Sequence, residues 1–291
     1  MKLKQYRFTD ADFDLAEVST TPDQELGSLS DQKKQIAANS KQLKTLQKKL
    51  FANRQQGLVI ILQGMDAAGK DSLVAHVFAG INPAGFQIAS FKQPTSEELA
   101  HDFLWRINQK LPERGMIGIF NRSYYEDVLI SRVHPEILLH ENLPKIHQLD
   151  DVDDEFFNHR YQDIRHYEEY LNHCGYEVIK FFLHISKDEQ KKRFESRIAR
   201  PEKNWKFSPS DIRERHYWDS YQEAYQMALS KTATKANPWY IIPGDSKDFE
   251  RLVASNLLVE RLKKLDLEFP KMDEHSEAEM HKAWDELQRK E

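Results

Sequence analysis

The sequence predicts an α/β fold, a parallel sheet in three layers with a helical N-terminal extension. Three observations carry this. Short apolar runs recur at 58–62, 116–120 and 177–185, and each is separated from the next by a stretch of helical periodicity. The runs are apolar on consecutive positions rather than alternate ones, as in strands buried on both faces. Strands that alternate with helices build βαβ units and hence a parallel sheet.

Each element follows from its own pattern. Residues 30–53 have Ile36, Leu43, Leu46 and Leu50 at helical spacing and no Gly or Pro, which predicts a helix. The strand at 58–62 ends in a turn, and helical spacing resumes over 69–79 with Leu73, Val74, Val77 and Phe78. A second strand is expected at 86–91, then a helix from Thr95 that Ser96, Glu97 and Glu98 would start well. The third strand is 116–120. A long helix follows Asp153 and closes at Cys174-Gly175, a C-cap pattern. Strands at 177–185 and 239–242 and a helix at 248–265 complete the domain. The division expected is an N-terminal extension over 1–57, a main domain over 58–265 and a polar helical tail over 266–291.

Composition excludes several classes. With 11% aromatic residues among 291, the chain is not globally disordered. Its longest strongly apolar run, 58–62, is far short of the roughly 20 residues of a membrane span. The first ten residues lack the apolar core of a signal peptide, and the one cysteine, Cys174, allows no internal disulfide. A cytoplasmic protein without membrane or nucleic-acid partners is expected. The net charge of −5 conceals a segregation: 32–57 contains no acid but carries Lys33, Lys34, Lys41, Lys44, Lys48, Lys49 and Arg54. A second basic stretch, 187–215, holds ten Lys/Arg against six acids. Either is consistent with a solvated helix face, or with a local field that gathers a polyanion.

The informative segment is Gly64-Met65-Asp66-Ala67-Ala68-Gly69-Lys70-Asp71-Ser72, between the first strand and a helix. It fits G-x-x-x-x-G-K, whose backbone N–H groups cradle phosphates while the lysine reaches them. Two details depart from the usual motif. Asp71 stands where a hydroxyl normally follows the lysine, with Ser72 one position later, and Asp66 lies inside the loop. An anion beside bound phosphates is repulsive unless a cation lies between, so Asp66 points to Mg²⁺, with Mn²⁺ as a substitute. A second constellation, Phe120-Asn121-Arg122-Ser123-Tyr124-Tyr125-Glu126-Asp127, ends the third strand. Ligands of open parallel sheets collect at that edge. Arg122 suits bidentate phosphate binding, and Glu126 or Asp127 suits completion of a metal shell. The same residues also fit a helix start with acids in its first turn. Lys92, ending the second strand, is a candidate phosphate contact.

These segments, together with Ser90-Phe91-Lys92-Gln93-Pro94, His101-Asp102-Phe103-Leu104-Trp105-Arg106 and Pro201-Glu202-Lys203-Asn204-Trp205-Lys206-Phe207-Ser208, resemble the polyphosphate kinase 2 family over about 30–265. The resemblance implies a P-loop kinase fold and Mg²⁺-dependent transfer of phosphoryl groups between inorganic polyphosphate and adenine or other nucleotides. It also implies a helical lid at about 187–230 and a homo-oligomer, dimer or tetramer. The wording of the Asn121–Asp127 segment is most similar to the subgroup that phosphorylates both AMP and ADP. On this resemblance Asp66, Lys70, Arg122 and Asp127 are the catalytic candidates, and Asp66, Glu126 and Asp127 the metal ligands. Gly64, Met65, Ala67, Ala68, Gly69, Asp71, Ser72, Lys92 and Asn121 are expected at phosphate or nucleotide. The lid cations Arg193, Arg197, Lys203 and Lys206 are expected to neutralise phosphate charge as the lid closes.

Two competing readings use the same residues: an ATP-dependent nucleoside monophosphate kinase, and a non-catalytic nucleotide-gated binding module. Turnover of AMP or ADP with polyphosphate and no ATP separates the three. The histidines at 140, 147, 159, 166 and 173 recur every seven residues, about 10.5 Å apart on a helix, too far to share a metal between neighbours. Trp105, Trp205, Trp218 and Trp239 are expected in the core.

Overall fold

The computed structural model describes residues 2–22 and 27–289. Met1, residues 23–26 of the expected extension and the last two residues of the tail lie outside the described residues. Six strands form one sheet: β1 (Arg7–Phe8), β2 (Gly57–Gln63), β3 (Phe86–Ser90), β4 (Ile117–Asn121), β5 (Tyr176–His184) and β6 (Trp239–Pro243), in the order β1-β6-β5-β2-β4-β3. The five strands expected from sequence are parallel, with Ile60 in register with Ile119 on one side and Ile179 on the other. Every residue of β2 is buried, so its unbroken apolar run is that of a strand covered on both faces. Among the described residues only β1 pairs antiparallel, placing Arg7 opposite Tyr240 at the sheet edge. Two residues are too few for a period-2 signal, so the sequence did not reveal this strand.

Helices fill both faces. The first group comprises α1 (Leu29–Asn53), α2 (Lys70–Val77) and α10 (Lys247–Lys264), where α1 and α2 each pack on α10. The second comprises α5 (Glu126–Val133), α6 (Asp154–His173) and α9 (Trp218–Thr232), packed on one another. Between them run the short α3 (Ser96–Leu99) and α4 (Trp105–Asn108), then α7 (Lys187–Ile198) and α8 (Pro209–Glu214), with α11 (Glu274–Arg289) as the tail. The caps are those the sequence signals. Thr95 and Glu98 make a reciprocal capping box, Asp153 caps α6 through the Phe156 amide, and Gly175 takes φ +86° past its end. The helix expected from Thr95 stops after one turn and resumes as α4.

The N-terminal segment joins the same hydrophobic core: Tyr6, Leu15, Leu43 and Leu50 are buried with the sheet residues. Asn39 donates to Ser255 Oγ (2.9 Å) and Asn256 Oδ1 (3.0 Å), and Asn53 to the Glu268 carbonyl (3.5 Å), so α1 runs alongside α10 in the same direction. The chain leaves β2 toward β3 and leaves β5 toward β6, in opposite directions. The crevice at the carboxyl ends of these adjacent strands is where such sheets bind ligands.

Candidate active site

The loop from Gly64 to Gly69 leaves β2 at that crevice. Gly64 has φ +150°, and a Cβ there would lie 2.7 Å from the Leu183 carbonyl of β5. Gly69 has φ +116°, and its Cβ would meet Glu250 Oε1 at 3.2 Å and Arg193 Nη1 at 3.4 Å. Both glycines are dictated by backbone conformation and by close approach. Ala67 also takes a positive φ, +63°. The Lys70 ammonium folds back on the loop, donating to the carbonyls of Gly64 (2.7 Å) and Met65 (3.2 Å). Burial, then the nearby Arg122 charge, lower its pKa to about 8, against partial compensation from Asp66, Glu126 and Asp71. The role expected of Lys70, attraction of phosphate, needs its charge, so on that expectation kcat/KM for the phosphate donor falls above about pH 8. That profile reports the free enzyme. A Lys70→Arg variant measured across pH 6–10 should lose the alkaline fall; persistence of the fall would assign it to another group.

Arg122 follows β4 and adopts φ +65°, an uncommon conformation for a side-chain-bearing residue. Its guanidinium lies 2.6 Å from Asp66 Oδ1 and 3.5 Å from Glu126 Oε2. Those two carboxylates, Glu126 foremost, hold it firmly protonated. Two cavities meet at this Asp66–Arg122 pair, which among the described residues alone lines both. The first, of about 640 Å³, lies over the Gly64–Gly69 loop and is lined by eight Lys/Arg side chains against three acids. The second, of about 490 Å³, runs between the β3 and β4 ends and α5, with four Lys/Arg against seven acids. Its wall includes Phe91, Pro94, Leu129, Ile130, Ile137, Tyr221 and Tyr225, whereas the first cavity has alanine as its only apolar lining.

Most of the sequence candidates converge here. Asp66, Ala67, Ala68, Gly69, Lys70, Asp71, Ser72, Asn121, Arg193, Arg197, Lys203 and Lys206 line the basic cavity. Gly64, Met65, Lys92, Glu126 and Asp127 line the other. Asn121 donates to Asp71 Oδ1 (2.7 Å), which ties the β4 end to the first turn of α2. Ser72 Oγ accepts from Arg251 (2.9 Å), and Lys206 reaches Asp71 (3.4 Å).

Four expectations change. Arg193 is not a free cation above the loop but is buried behind it: its guanidinium donates to the carbonyls of Ala67 (3.0 Å), Ala68 and Gly244, and to Glu189 (2.8 Å). Helix phase is the reason, since Gln190, Arg193 and Phe194 form the buried face of α7. Asp127 does not join Asp66 and Glu126. Adjacent helix positions point about 100° apart, and Asp127 Oδ2 faces Arg106 at 3.6 Å, while burial raises its pKa to about 7. Trp205 is 78% exposed, its ring under the Lys206 ammonium at 5.0 Å, and Trp105 is half-buried against His101, whereas Trp218 and Trp239 are core as expected. The stretch expected as the lid also divides. Both α7 and α9 bury a face in the body, which leaves 199–217 to rise over the loop.

Asp66 and Glu126 fit a divalent cation. Both are carboxylates turned to one point, now occupied by Arg122, and hard oxygen donors suit Mg²⁺ or Mn²⁺. Among the described residues no three His, Cys, Asp or Glu side chains form a ready cage. That agrees with a cation held by one or two carboxylates and completed by substrate phosphates.

Sequence reasoning missed several contributors. Lys247, the first residue of α10 beyond β6, and Lys192 extend the basic wall. A cation just after a strand's carboxyl end was the available signal for Lys247. Gln190 donates to the Asp66 carbonyl (3.0 Å), and Arg215 donates to Gln190 Oε1 (2.8 Å), which braces the loop from behind. Glu250, buried against Gly69 with Oε2 unpartnered, is pushed up to about 8 by burial.

The family model for polyphosphate kinase 2 (PPK2) matches residues 27–270. The chain is 45% identical over 271 residues to an ADP-polyphosphate phosphotransferase of Rhodopseudomonas palustris, covering 93% of each. It is 43% identical over 242 residues to an AMP/ADP-polyphosphate phosphotransferase of Meiothermus ruber, covering 83% of this chain and 85% of that one. The crystal structure of polyphosphate kinase 2 from Arthrobacter aurescens TC1 superposes with a TM-score of 0.86 at 39% identity, over 96% of both chains. The chain belongs to the polyphosphate kinase 2 family.

Proposed function

We propose that the protein transfers the terminal phosphoryl group of inorganic polyphosphate to AMP or ADP, reversibly and with a divalent cation, Mg²⁺ or Mn²⁺. The observation that carries the reading is the pair of oppositely charged cavities that share Asp66 and Arg122. Polyphosphate bears about one negative charge per unit along its length, so it belongs in the basic cavity over the loop, where seven cations besides the buried Arg193 line the wall. The nucleotide belongs in the cavity with an aromatic and aliphatic wall, which suits a base better than a bare phosphate chain. The relatives' names, ADP-polyphosphate and AMP/ADP-polyphosphate phosphotransferase, agree with both substrates.

In this arrangement the terminal phosphate oxygen of the nucleotide attacks the end phosphorus of polyphosphate in line. The bridging P–O bond breaks, and the shortened chain leaves with its oxygen anionic. A phosphate nucleophile is already charged, so Asp66 does not act as a strong general base. Lys70 leaves the loop carbonyls for the transferring phosphate, and Arg122, at the junction, stabilises charge spread over the equatorial oxygens. Arg193 and Gln190 keep the loop backbone in place. Asp66 and Glu126 are the residues to hold the cation, which when bound neutralises phosphate charge. On this reading the protein works in the cytoplasm as a homo-oligomer; among the described residues no helix is long and apolar enough to cross a membrane.

The test incubates the protein with AMP or ADP, Mg²⁺ and polyphosphate, without ATP. New ADP or ATP is expected, whereas product from ATP alone as donor would favour a nucleoside monophosphate kinase. In the same assay Asp66→Asn should shift the Mg²⁺ titration to at least tenfold higher concentration. An unshifted titration with full turnover would remove Asp66 from the cation.

A further inference from the structure

We propose that the outward face of α1 is a docking track for long polyphosphate chains, outside the catalytic cavities. Lys33, Lys34, Lys41, Lys44 and Lys48 are exposed, on the side of the helix away from Asn39, Leu43, Gln47 and Leu50, which are buried. From Lys33 to Lys48 the stripe extends about 22 Å at the α-helical rise, several phosphate units of an extended chain. No acid occurs between Gln32 and Gly57, although the whole chain has net charge −5. Elsewhere on the surface some lysines are paired along their own helices, Lys191 with Glu195 and Lys264 with Glu260. Among the described residues no ion pair engages Lys33, Lys41, Lys44 or Lys48. A solvated helix that needed charge only for solubility would interleave both signs, as i,i+4 pairs stabilise it. This one forgoes them over six turns.

The stripe is also placed where a chain emerging from the basic cavity would meet it. Asn39 sits beside Ser255 with the two helices running in the same direction, so Lys247 at the start of α10 is level with the first turn of α1. Lys247 lines the basic cavity. A polyphosphate whose reacting end lies over Lys70 passes Lys247 and reaches the amino-terminal end of the α1 stripe. Short chains end inside the cavity and never touch it. The α1 lysines would then tighten long chains by local counterion release, without contact with the reacting phosphorus.

The inference rests on polyphosphate being the substrate, so the test pairs two chain lengths. The triple variant Lys41→Gln/Lys44→Gln/Lys48→Gln changes exposed positions only and leaves the fold intact. Lys231→Gln/Lys235→Gln/Lys271→Gln, also exposed, is the control for net charge. Substrates are a polyphosphate of about a hundred units and the shortest one the unmodified protein turns over. For the α1 variant, KM for the long chain is expected to rise at least fivefold at low salt, with kcat and short-chain KM unchanged. The slope of log KM against log salt should fall by about 2, roughly 0.7 per lysine removed. A long-chain KM within twofold of the unmodified protein overturns the track, as does an equal rise for the short chain or in the control. Absence of turnover with either chain in the unmodified protein would instead overturn the substrate reading.

Discussion

Arg122→Ala is expected to lower kcat by about 10³-fold or more, the range for removing a cation that stabilises a transferring phosphoryl group. The guanidinium bridges Asp66 and Glu126 at the meeting point of the two cavities, where in the proposed arrangement charge develops on the group in flight. Its larger effect is in the transition state, so kcat should fall much more than KM for the nucleotide rises. Arg122→Lys should not restore the rate: a point charge replaces a planar fork that serves two carboxylates at once. A second variant separates function from folding. Arg122 holds φ +65°, a conformation that costs a side-chain-bearing residue about 1–2 kcal/mol and glycine almost nothing. Arg122→Gly should therefore be as stable as the unmodified protein in thermal unfolding, yet as slow as Arg122→Ala. A clearly less stable glycine variant would mean that the ion pairs of Arg122, rather than its chemistry, account for the conformation.

The largest loss of stability is expected from Glu168→Ala. Lys180 lies in the middle of β5, fully buried, and donates to Glu168 Oε2 (2.7 Å), the Thr232 carbonyl (2.9 Å) and Tyr125 Oη (3.2 Å). The hydroxyls of Tyr124 and Tyr125 both donate to Glu168 Oε1, at 2.9 and 2.8 Å. Removal of the carboxylate leaves a buried ammonium without its counter-charge and the Tyr124 phenol without its acceptor, while Tyr125 keeps Thr232 Oγ1 at 2.9 Å, a cost of about 3–5 kcal/mol. For a domain of this size that is a fall in Tm of roughly 10 °C. The double variant Glu168→Leu/Lys180→Met should recover most of it, because a paired apolar replacement leaves no orphan charge. Tyr124 and Tyr125 directly follow Arg122 and Ser123, so the recovered double variant is still expected to lose turnover. If the double variant were less stable than Glu168→Ala, the pair would contribute net stability beyond its desolvation cost.

This network shows where the sequence was legible and where it was not. The apolar runs and caps determine the strands and most of the helices, because burial on both faces and N-cap chemistry leave local marks. The loop from Gly64 to Lys70 and the Asn121–Asp127 segment were visible because their residue types are needed at fixed spacing next to strand ends. Lys180 left no such mark: within Val178-Ile179-Lys180-Phe181-Phe182 it looks like a lysine reaching for solvent, and only packing brings Glu168 to it. Arg193 was misjudged for a similar reason. The basic content of 187–215 suggested a row of equivalent cations, but helix phase sorts Arg193 inward with Gln190 and Phe194 and leaves Lys192 on the cavity wall. Glu126 and Asp127 were interchangeable in sequence until α5 pointed them to different partners, Arg122 and Arg106. The two cavities were not legible at all. They arise from the spacing of β3, β4 and α5 relative to the loop, which no local pattern encodes.

The central claim is that the two phosphate chains occupy separate cavities, polyphosphate over the loop and nucleotide beside α5. The most direct measurement is a crystal structure of the protein with ADP and Mg²⁺ and no polyphosphate. The account predicts the adenine against the apolar wall that includes Leu129, Ile130 and Ile137, with the terminal phosphate near Arg122 and the Lys70 loop free of nucleotide. A nucleotide whose phosphates are cradled by the Gly64–Gly69 backbone would contradict it and exchange the two substrates.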